Sequence, residues 1–181
     1  SVPEGVPLIV YSGNVKPARG IETVVEALTM IPEAHVAIIT NSVGGYVDEL
    51  KELSLKSGVS DRIHLHPYVP FMNVTSFLRT ATIGVHPMQR YPNAEIALPN
   101  KLFEHIHAGL PSVVSNNRSM EEFINRNDCG VAFEAGNARA LADAVTAVLE
   151  RLHTQPYWRQ SIQALSEQYC WESQETVIAS I

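Results

Sequence analysis

One short segment, ALPNKLFEHIHAG at residues 97–109, holds the side chains with the clearest chemical potential. In it, Pro99 and Asn100 precede a cation, Lys101, and a carboxylate, Glu104, follows three residues later. On a helix these charges stand on neighbouring turns, where an exposed pair contributes only about 0.2–0.5 kcal/mol. Spacing alone therefore favours an ordinary surface pair. The alternative is an anion site, because a helix N-terminus offers free N–H groups and a positive dipole.

A second segment, GNVKPARG at residues 13–20, carries Lys16 and Arg19 between two glycines. It matches neither the phosphate-binding P-loop, G-x-x-x-x-G-K-[ST], nor the dinucleotide fingerprint, G-x-G-x-x-G. Both mismatches argue against a P-loop ATPase and against a dinucleotide-dependent dehydrogenase. Taken alone, each of the two cations is more often a solvated loop charge than a ligand.

Histidines supply the remaining candidates. His86 follows an apolar run and is either a polar contact or a structural histidine. His64 and His66 alternate within another apolar run, but no third ligand accompanies them, so the sequence predicts no metal site. The chain also lacks a Ser–His–Asp constellation at a recognisable spacing.

Predicted strands and helices, which must position these residues, alternate regularly along the chain. Apolar runs predict six strands, at 7–13, 35–41, 62–69, 82–88, 111–117 and 130–133. Amphipathic runs predict helices at 21–31, 45–58, 71–81, 119–127, 137–152, 156–170 and 171–181, with one more that begins near Pro99. The loop RYPNAEIA before that helix is predicted to be irregular. This pattern is typical of an α/β, doubly wound, Rossmann-like domain with a six-stranded, mostly parallel sheet and extra C-terminal helices.

The expected topology brings the two charged segments together. Ligands of doubly wound sheets bind beyond the carboxyl ends of the strands, where the strand order reverses. For the common order 3-2-1-4-5-6, the loops at 13–20 and 86–98 flank that point. Lys16 and Arg19 are then expected opposite the helix that begins near Pro99. This combination fits a diphosphate without a metal ion.

Composition sets broader limits. The 181 residues fit one domain, and 45% hydrophobic and 18% charged residues are usual for a globular protein. A net charge of −6 argues against a general nucleic-acid surface. The two cysteines form no C-x-x-C motif, as expected in a reducing compartment. Because the sequence does not begin with Met, we expect a fragment of a longer chain.

Four segments, in order, resemble the C-terminal domain of family 4 glycosyltransferases, which are retaining enzymes of the GT-B fold. They are YSGNVKPARGIETVVEAL, SGVSDRIHLHPYVPFMNVTSFLRTATIGVHP, LPNKLFEHIHAGLPSVVSNNRSMEEFI and CGVAFEAGNARALADAV. The most specific part is the pattern P-N-K-L-F-E-x-x-x-A-G-x-P-x-V-x-S around Glu104.

The resemblance implies roles for particular residues. In this family two basic residues bind the donor diphosphate. Arg19 corresponds to one of them. The other, usually an arginine after Gly13, is replaced by Asn14, so Lys16 is expected to supply the second charge. The family glutamate that binds the nucleotide ribose matches Glu104. Arg19, Lys16 and Glu104 are thus the implied catalytic residues. Topology and resemblance together predict a donor-binding set of Gly13, Asn14, Arg19, His86, Glu95, Pro99, Asn100, Lys101, Leu102 and Glu104.

One glutamate typical of the family is absent at the matching position of this sequence. The glutamate that usually lies eight positions before the ribose-binding one, near a glycine-rich turn that contacts the donor sugar, is replaced by Ile96. Glu95 stands one residue away, and the glycines are absent.

The resemblance implies transfer of a sugar from a UDP- or GDP-linked donor to an acceptor hydroxyl, with retention of configuration and no metal. It implies that residues 1–181 are one nucleotide-sugar-binding domain, partnered by an N-terminal acceptor domain and a glycan or lipid-linked acceptor. Such enzymes act in polysaccharide or glycoconjugate biosynthesis, in the cytoplasm or at the inner face of the membrane. Two alternatives stay open: a nucleotide-sugar epimerase of the same fold, and a non-enzymatic α/β interaction domain.

Overall fold

The computed structural model describes residues 2–170, so the helix predicted at 171–181 lies outside the described residues. Six parallel strands form one sheet in the order β3-β2-β1-β4-β5-β6. The strands are β1 (Leu8–Ser12), β2 (His35–Ile39), β3 (Ile63–His66), β4 (Ile83–His86), β5 (Ser112–Ser115) and β6 (Gly130–Phe133). The predicted fold class and strand order are confirmed.

The helices that connect the strands cover the sheet. They are α1 (Ile21–Ala27), α2 (Tyr46–Lys56), α3 (Val74–Leu78), α4 (Pro92–Ile96), α5 (Asn100–Ala108), α6 (Arg118–Asn127), α7 (Ala138–Thr154) and α8 (Trp158–Ala164). A 3-10 turn at Pro17–Arg19 precedes α1, and others extend or precede α1, β3, α3 and α8. The predicted helix at 156–170 is thus shorter and ends in a 3-10 turn at Leu165–Glu167.

Burial explains why the strands were readable in the sequence. Strands β4 and β5 are buried along their whole length, as expected where a parallel sheet is covered on both faces. Strand β3 lies at the sheet edge and is only partly covered. The largest fully buried side chains, which include Tyr11, Ile21 and Leu102, join the sheet to the helices packed on it.

One local prediction was wrong. Residues 92–96, expected to be irregular, form the short helix α4, which Pro92 opens. Five residues are too few to show a helical repeat in the sequence.

Candidate functional site

The loops that follow β1 and β4 lie against each other at the point where the strand order reverses. Gly20 has a left-handed backbone (φ 68°), and a Cβ atom built there would lie 1.9 Å from the carbonyl oxygen of Pro87. The backbone N–H of Gln89 donates to Ala18 O at 3.1 Å. The Gln89 side chain also donates to Glu22 Oε1 at 3.0 Å. These two loops form the wall of a crevice, and the close approach of Gly20 to Pro87 is possible only because residue 20 is glycine.

Strand β5 holds the β4 loop from the other side. Ser115 Oγ donates to Met88 O at 2.6 Å, and Asn117 Nδ2 donates to the same oxygen at 3.0 Å. Both side chains are buried. No local sequence pattern indicates these roles, because Ser115 and Asn117 act through contacts with a loop 27–29 residues away in the chain.

Two cations lie at the edges of this crevice. Arg19 is half-buried, with Nη1 4.0 Å from Met88 Sδ. Lys101 reaches the loop after β1, because its Cε would lie 2.7 Å from a Cβ atom built on Gly13. Lys16 is exposed and precedes the 3-10 turn that ends in Arg19. Arg19 therefore lies against the β4 loop and Lys101 against the loop after β1, while the Lys16 side chain is exposed.

The N-terminus of α5 opens into the same region. Pro99 is the N-cap residue, and no described residue accepts a hydrogen bond from the N–H groups of Asn100 and Lys101. These N–H groups and the helix dipole suit an anion. The Leu102 side chain, from the predicted donor-binding set, lies in the core and is 1% exposed. Its backbone N–H donates to Pro99 O at 3.1 Å.

Glu104 is half-buried and faces a groove beside the crevice. Within residues 2–170 no ion pair joins it to Lys101, although the spacing alone favoured one. The groove has a volume of about 670 Å³. Its walls are Phe71, Met72, Val74, Thr75, Asn100, Phe103, Glu104, His107 and Tyr169. The carboxylate thus stands where an apolar wall meets the helix N-terminus.

Two histidines lie between α5 and the sheet. His105 of α5 is buried because Gly84 leaves room for its ring, and its Nδ1 lies 2.8 Å from Ser112 Oγ. Burial, and then the charge of Lys101, lowers the pKa of His105 to about 3. His86 is also buried, and its pKa falls to about 3, chiefly through burial and then through the charges of His105, Lys101 and Arg19.

Asn14 is held by one tyrosine of β1 and by another in the loop after β3. Tyr11 Oη donates to Asn14 O at 2.7 Å, and Tyr68 Oη donates to Asn14 Oδ1 at 2.9 Å. Burial raises the pKa of Tyr11 to about 12, against the opposing charge of Arg19. Sequence reasoning missed both tyrosines, because the hydrogen bond from Tyr68 spans 54 residues.

Glu95 is occupied by neighbours. Its Oε1 accepts from Arg90 Nε at 2.6 Å, and its Oε2 accepts from the N–H of Arg118, the first residue of α6, at 2.9 Å. The Arg118 N–H and then the Arg90 side chain lower the pKa of Glu95. This arrangement places the carboxylate at the start of α6, where it stabilises the helix dipole.

The remaining histidines show no metal centre. His64 Nε2 lies 2.9 Å from His35 Nδ1, and His66 Nδ1 lies 2.7 Å from Pro67 O. Across residues 2–170, no three His, Cys, Asp or Glu side chains are grouped so that they hold a metal ion. In the same part of the chain, no helix has the length and apolar character needed to cross a membrane.

A parallel sheet with this strand order defines a Rossmann-like domain, and basic side chains lie at its switch point. The chain matches the family described as Glycosyl transferases group 1 over residues 1–164, and it belongs to that family. It is 24% identical over 174 residues to D-inositol 3-phosphate glycosyltransferase of Xylanimonas cellulosilytica. That alignment covers 94% of this chain but only 40% of the relative.

Solved structures show the same fold. HepE of Anabaena in complex with UDP gives a TM-score of 0.81 at 15% identity, covering 96% of this chain and 49% of HepE. HepE has also been solved with UDP-glucose. The C-terminal domain of LpcC, a glycosyl transferase group 1 family protein of Francisella tularensis, gives a TM-score of 0.69 at 16% identity and covers 94% of this chain and 89% of that domain. The fold is thus that of the C-terminal domain of GT-B glycosyltransferases.

Proposed function

We propose that the chain is the donor-binding domain of a family 4 type, retaining glycosyltransferase, which transfers a sugar from a nucleotide-diphosphate sugar to an acceptor hydroxyl. The observation that carries this proposal is the meeting of Arg19, Lys101 and the N-terminus of α5 at one crevice. Glu104 stands on the next turn of the same helix. Diphosphate and ribose are adjacent in such donors, and so are these groups.

Charge on the leaving diphosphate is the main chemical demand of the reaction. As the bond between the sugar and the phosphate breaks, negative charge develops on the phosphate oxygens. Arg19 and Lys101 are positioned to stabilise that charge, with Lys16 joining from the exposed side. The N–H groups of Asn100 and Lys101 add preorganised donors that require no movement. In this proposal protein cations neutralise the diphosphate, so the reaction requires no metal.

Glu104 is proposed to bind the ribose. A carboxylate accepts hydrogen bonds from two hydroxyl groups at once, which suits a ribose diol. Half-burial strengthens such bonds relative to those at an open surface. The apolar part of the groove, which includes Phe71 and Met72, is then available to the base. HepE, which shares this fold, has been solved with UDP and UDP-glucose, so UDP is the first nucleotide to test.

The sugar site is proposed to differ from that of other family members. Both Glu95 oxygens are bonded to Arg90 and Arg118, and Ile96 is 70% exposed. A second half of the enzyme, which binds a glycan or lipid-linked acceptor, is proposed to complete the cleft.

Calorimetric titration of the 181-residue chain with UDP, GDP and ADP tests the proposal. We expect one of the three to bind with a dissociation constant at or below the millimolar range. Absence of binding by all three would overturn the donor-domain proposal and favour a non-enzymatic interaction domain. With the full-length enzyme, NMR of the glycosylated product should show a retained anomeric configuration, and EDTA should leave the rate unchanged.

A further inference from the structure

His86 is buried at the carboxyl end of β4 in a way that packing does not explain. It is 2% exposed, and no described residue forms a hydrogen bond with its Nδ1 or its Nε2. Buried polar atoms are nearly always paired, and an unpaired one destabilises the fold. A leucine would fill similar space without that cost. The histidine therefore points to a partner outside residues 2–170.

The alternation of side chains along β4 and the turns of α5 show which residues the His86 ring faces. A Cβ atom built on Gly84 would lie 2.3 Å from His105 Cε1, so this face of β4 meets α5. Alternate residues of a strand share a face, and His86 is two residues beyond Gly84. Lys101, one helical turn before His105, reaches the loop after β1 at Gly13. His86 therefore lies beneath the Lys101 end of α5, at the crevice.

The groups whose charge acts on the His86 ring are all basic. They are His105 and Lys101 from α5 and Arg19 from the loop after β1. Together with burial, which is the larger cause, they keep the ring neutral at pH 7. A neutral imidazole has one N–H to donate. An anion held by Arg19 and Lys101 brings its oxygens to this N–H.

Building on the proposed function, we propose that His86 is a further ligand of the nucleotide diphosphate and donates a hydrogen bond from its neutral ring. Both ring nitrogens are covered in the structure, so a side chain at the crevice must move. Lys101 is the side chain suited to do so: it is half-buried, and no described residue pairs with its ammonium group. In this proposal Lys101 turns towards the diphosphate and uncovers the His86 ring.

Two substitutions test this assignment. His86→Leu removes the donor at similar volume, and His86→Asn keeps a donor near the position of Nδ1. Each variant is titrated with UDP and with uridine, and its unfolding by denaturant is measured without ligand. We expect His86→Leu to weaken UDP binding at least tenfold and uridine binding less than twofold. His86→Asn should recover part of the UDP affinity.

Stability separates a ligand from a structural histidine. Because the ring nitrogens are unpaired, free His86→Leu should be as stable as the wild type or more stable. Wild-type UDP affinity in His86→Leu, or equal losses for UDP and uridine, would overturn the assignment but leave the donor-domain proposal standing. A destabilised His86→Leu variant would also overturn it, because that result indicates a packing role. If the wild type binds no nucleotide, both proposals fail.

Discussion

Gly20, in the loop after β1, lies directly against the backbone of Pro87 in the loop after β4. A Cβ atom on Gly20 would lie 1.9 Å from the Pro87 carbonyl oxygen and 3.0 Å from its carbonyl carbon, and Gly20 adopts a φ of 68°. Both the space and the backbone conformation therefore require glycine. The contact places Arg19, the residue immediately before Gly20, beside the β4 loop.

Replacing Gly20 with alanine should both destabilise the fold and weaken nucleotide binding. The left-handed conformation alone costs a residue with a Cβ about 1–2 kcal/mol. The clash with Pro87 adds to that cost, because the obstructing atoms are backbone rather than a flexible side chain. Denaturant unfolding should show a loss greater than about 2 kcal/mol, and titration with UDP should show reduced affinity.

Gly58→Ala is the matched control for this effect. Gly58 has the same φ of 68°, but a Cβ atom there would have no atom within 4 Å. The free energy of unfolding of Gly58→Ala should therefore fall only by the conformational cost, about 1–2 kcal/mol, and the variant should bind UDP normally. Equal destabilisation in the two variants would show that the loops separate without cost.

Arg19→Ala should weaken UDP binding far more than uridine binding. A charge-assisted hydrogen bond to phosphate contributes about 1.5–3 kcal/mol, equivalent to roughly tenfold or more in the dissociation constant. Arg19→Lys should lie between the wild type and alanine, because lysine keeps the charge but loses the planar pair of donors. Arg139, exposed on α7, provides the control substitution to alanine. Equal losses for UDP and uridine would remove Arg19 from the phosphate site.

The sequence predicted the architecture well because its signal is local. Buried parallel strands read as continuous apolar runs, and each of the six runs became a strand. The strand order then followed from the commonest doubly wound topology. Helix α4 escaped prediction because one turn shows no periodicity. The burial of His105 was not predictable either, because the space over Gly84 exists only after packing.

Only those features of the candidate site that follow from the strand order could be predicted from the sequence. The approach of Arg19 to the β4 loop follows from strand order, which the sequence pattern indicates. The contacts of Asn14 with Tyr68 and of Glu95 with Arg118 depend on side chains 54 and 23 residues away, and no local pattern encodes them. The unpaired nitrogens of His86 also become visible only when the surrounding packing is known.

Glu104→Gln should distinguish nucleotides by their ribose. The amide keeps the shape of the side chain but loses the charge and half of its accepting capacity. We expect about a tenfold loss of affinity for UDP, in line with a charged hydrogen bond, and almost no change for 2′,3′-dideoxy-UDP. Glu150→Gln, at an exposed position on α7, is the control. A preference between the two nucleotides that matches the wild type would return Glu104 to a surface role.

Stability should fall in mild acid because two buried histidines, His105 and His86, are neutral in the folded protein. The pKa of His105 is about 3 in the folded protein and near 6.5 when unfolded, so below pH 6.5 the unfolded chain binds a proton that the folded chain excludes. Folding is therefore fully supported above pH 6.5 and weakens as the pH drops towards 3. Between pH 7 and pH 5 this amounts to about 2 kcal/mol for a histidine so shifted.

Denaturant unfolding of His105→Gln at pH 7 and pH 5 measures this contribution. Glutamine does not titrate, so the difference in unfolding free energy between the two pH values should shrink by about 2 kcal/mol relative to the wild type. Comparing the differences removes the cost of losing the bond to Ser112, which is present at both pH values. His153→Gln, on the exposed surface of α7, should keep the wild-type difference. An unchanged difference in His105→Gln would mean that His105 is protonated in the folded protein at pH 5.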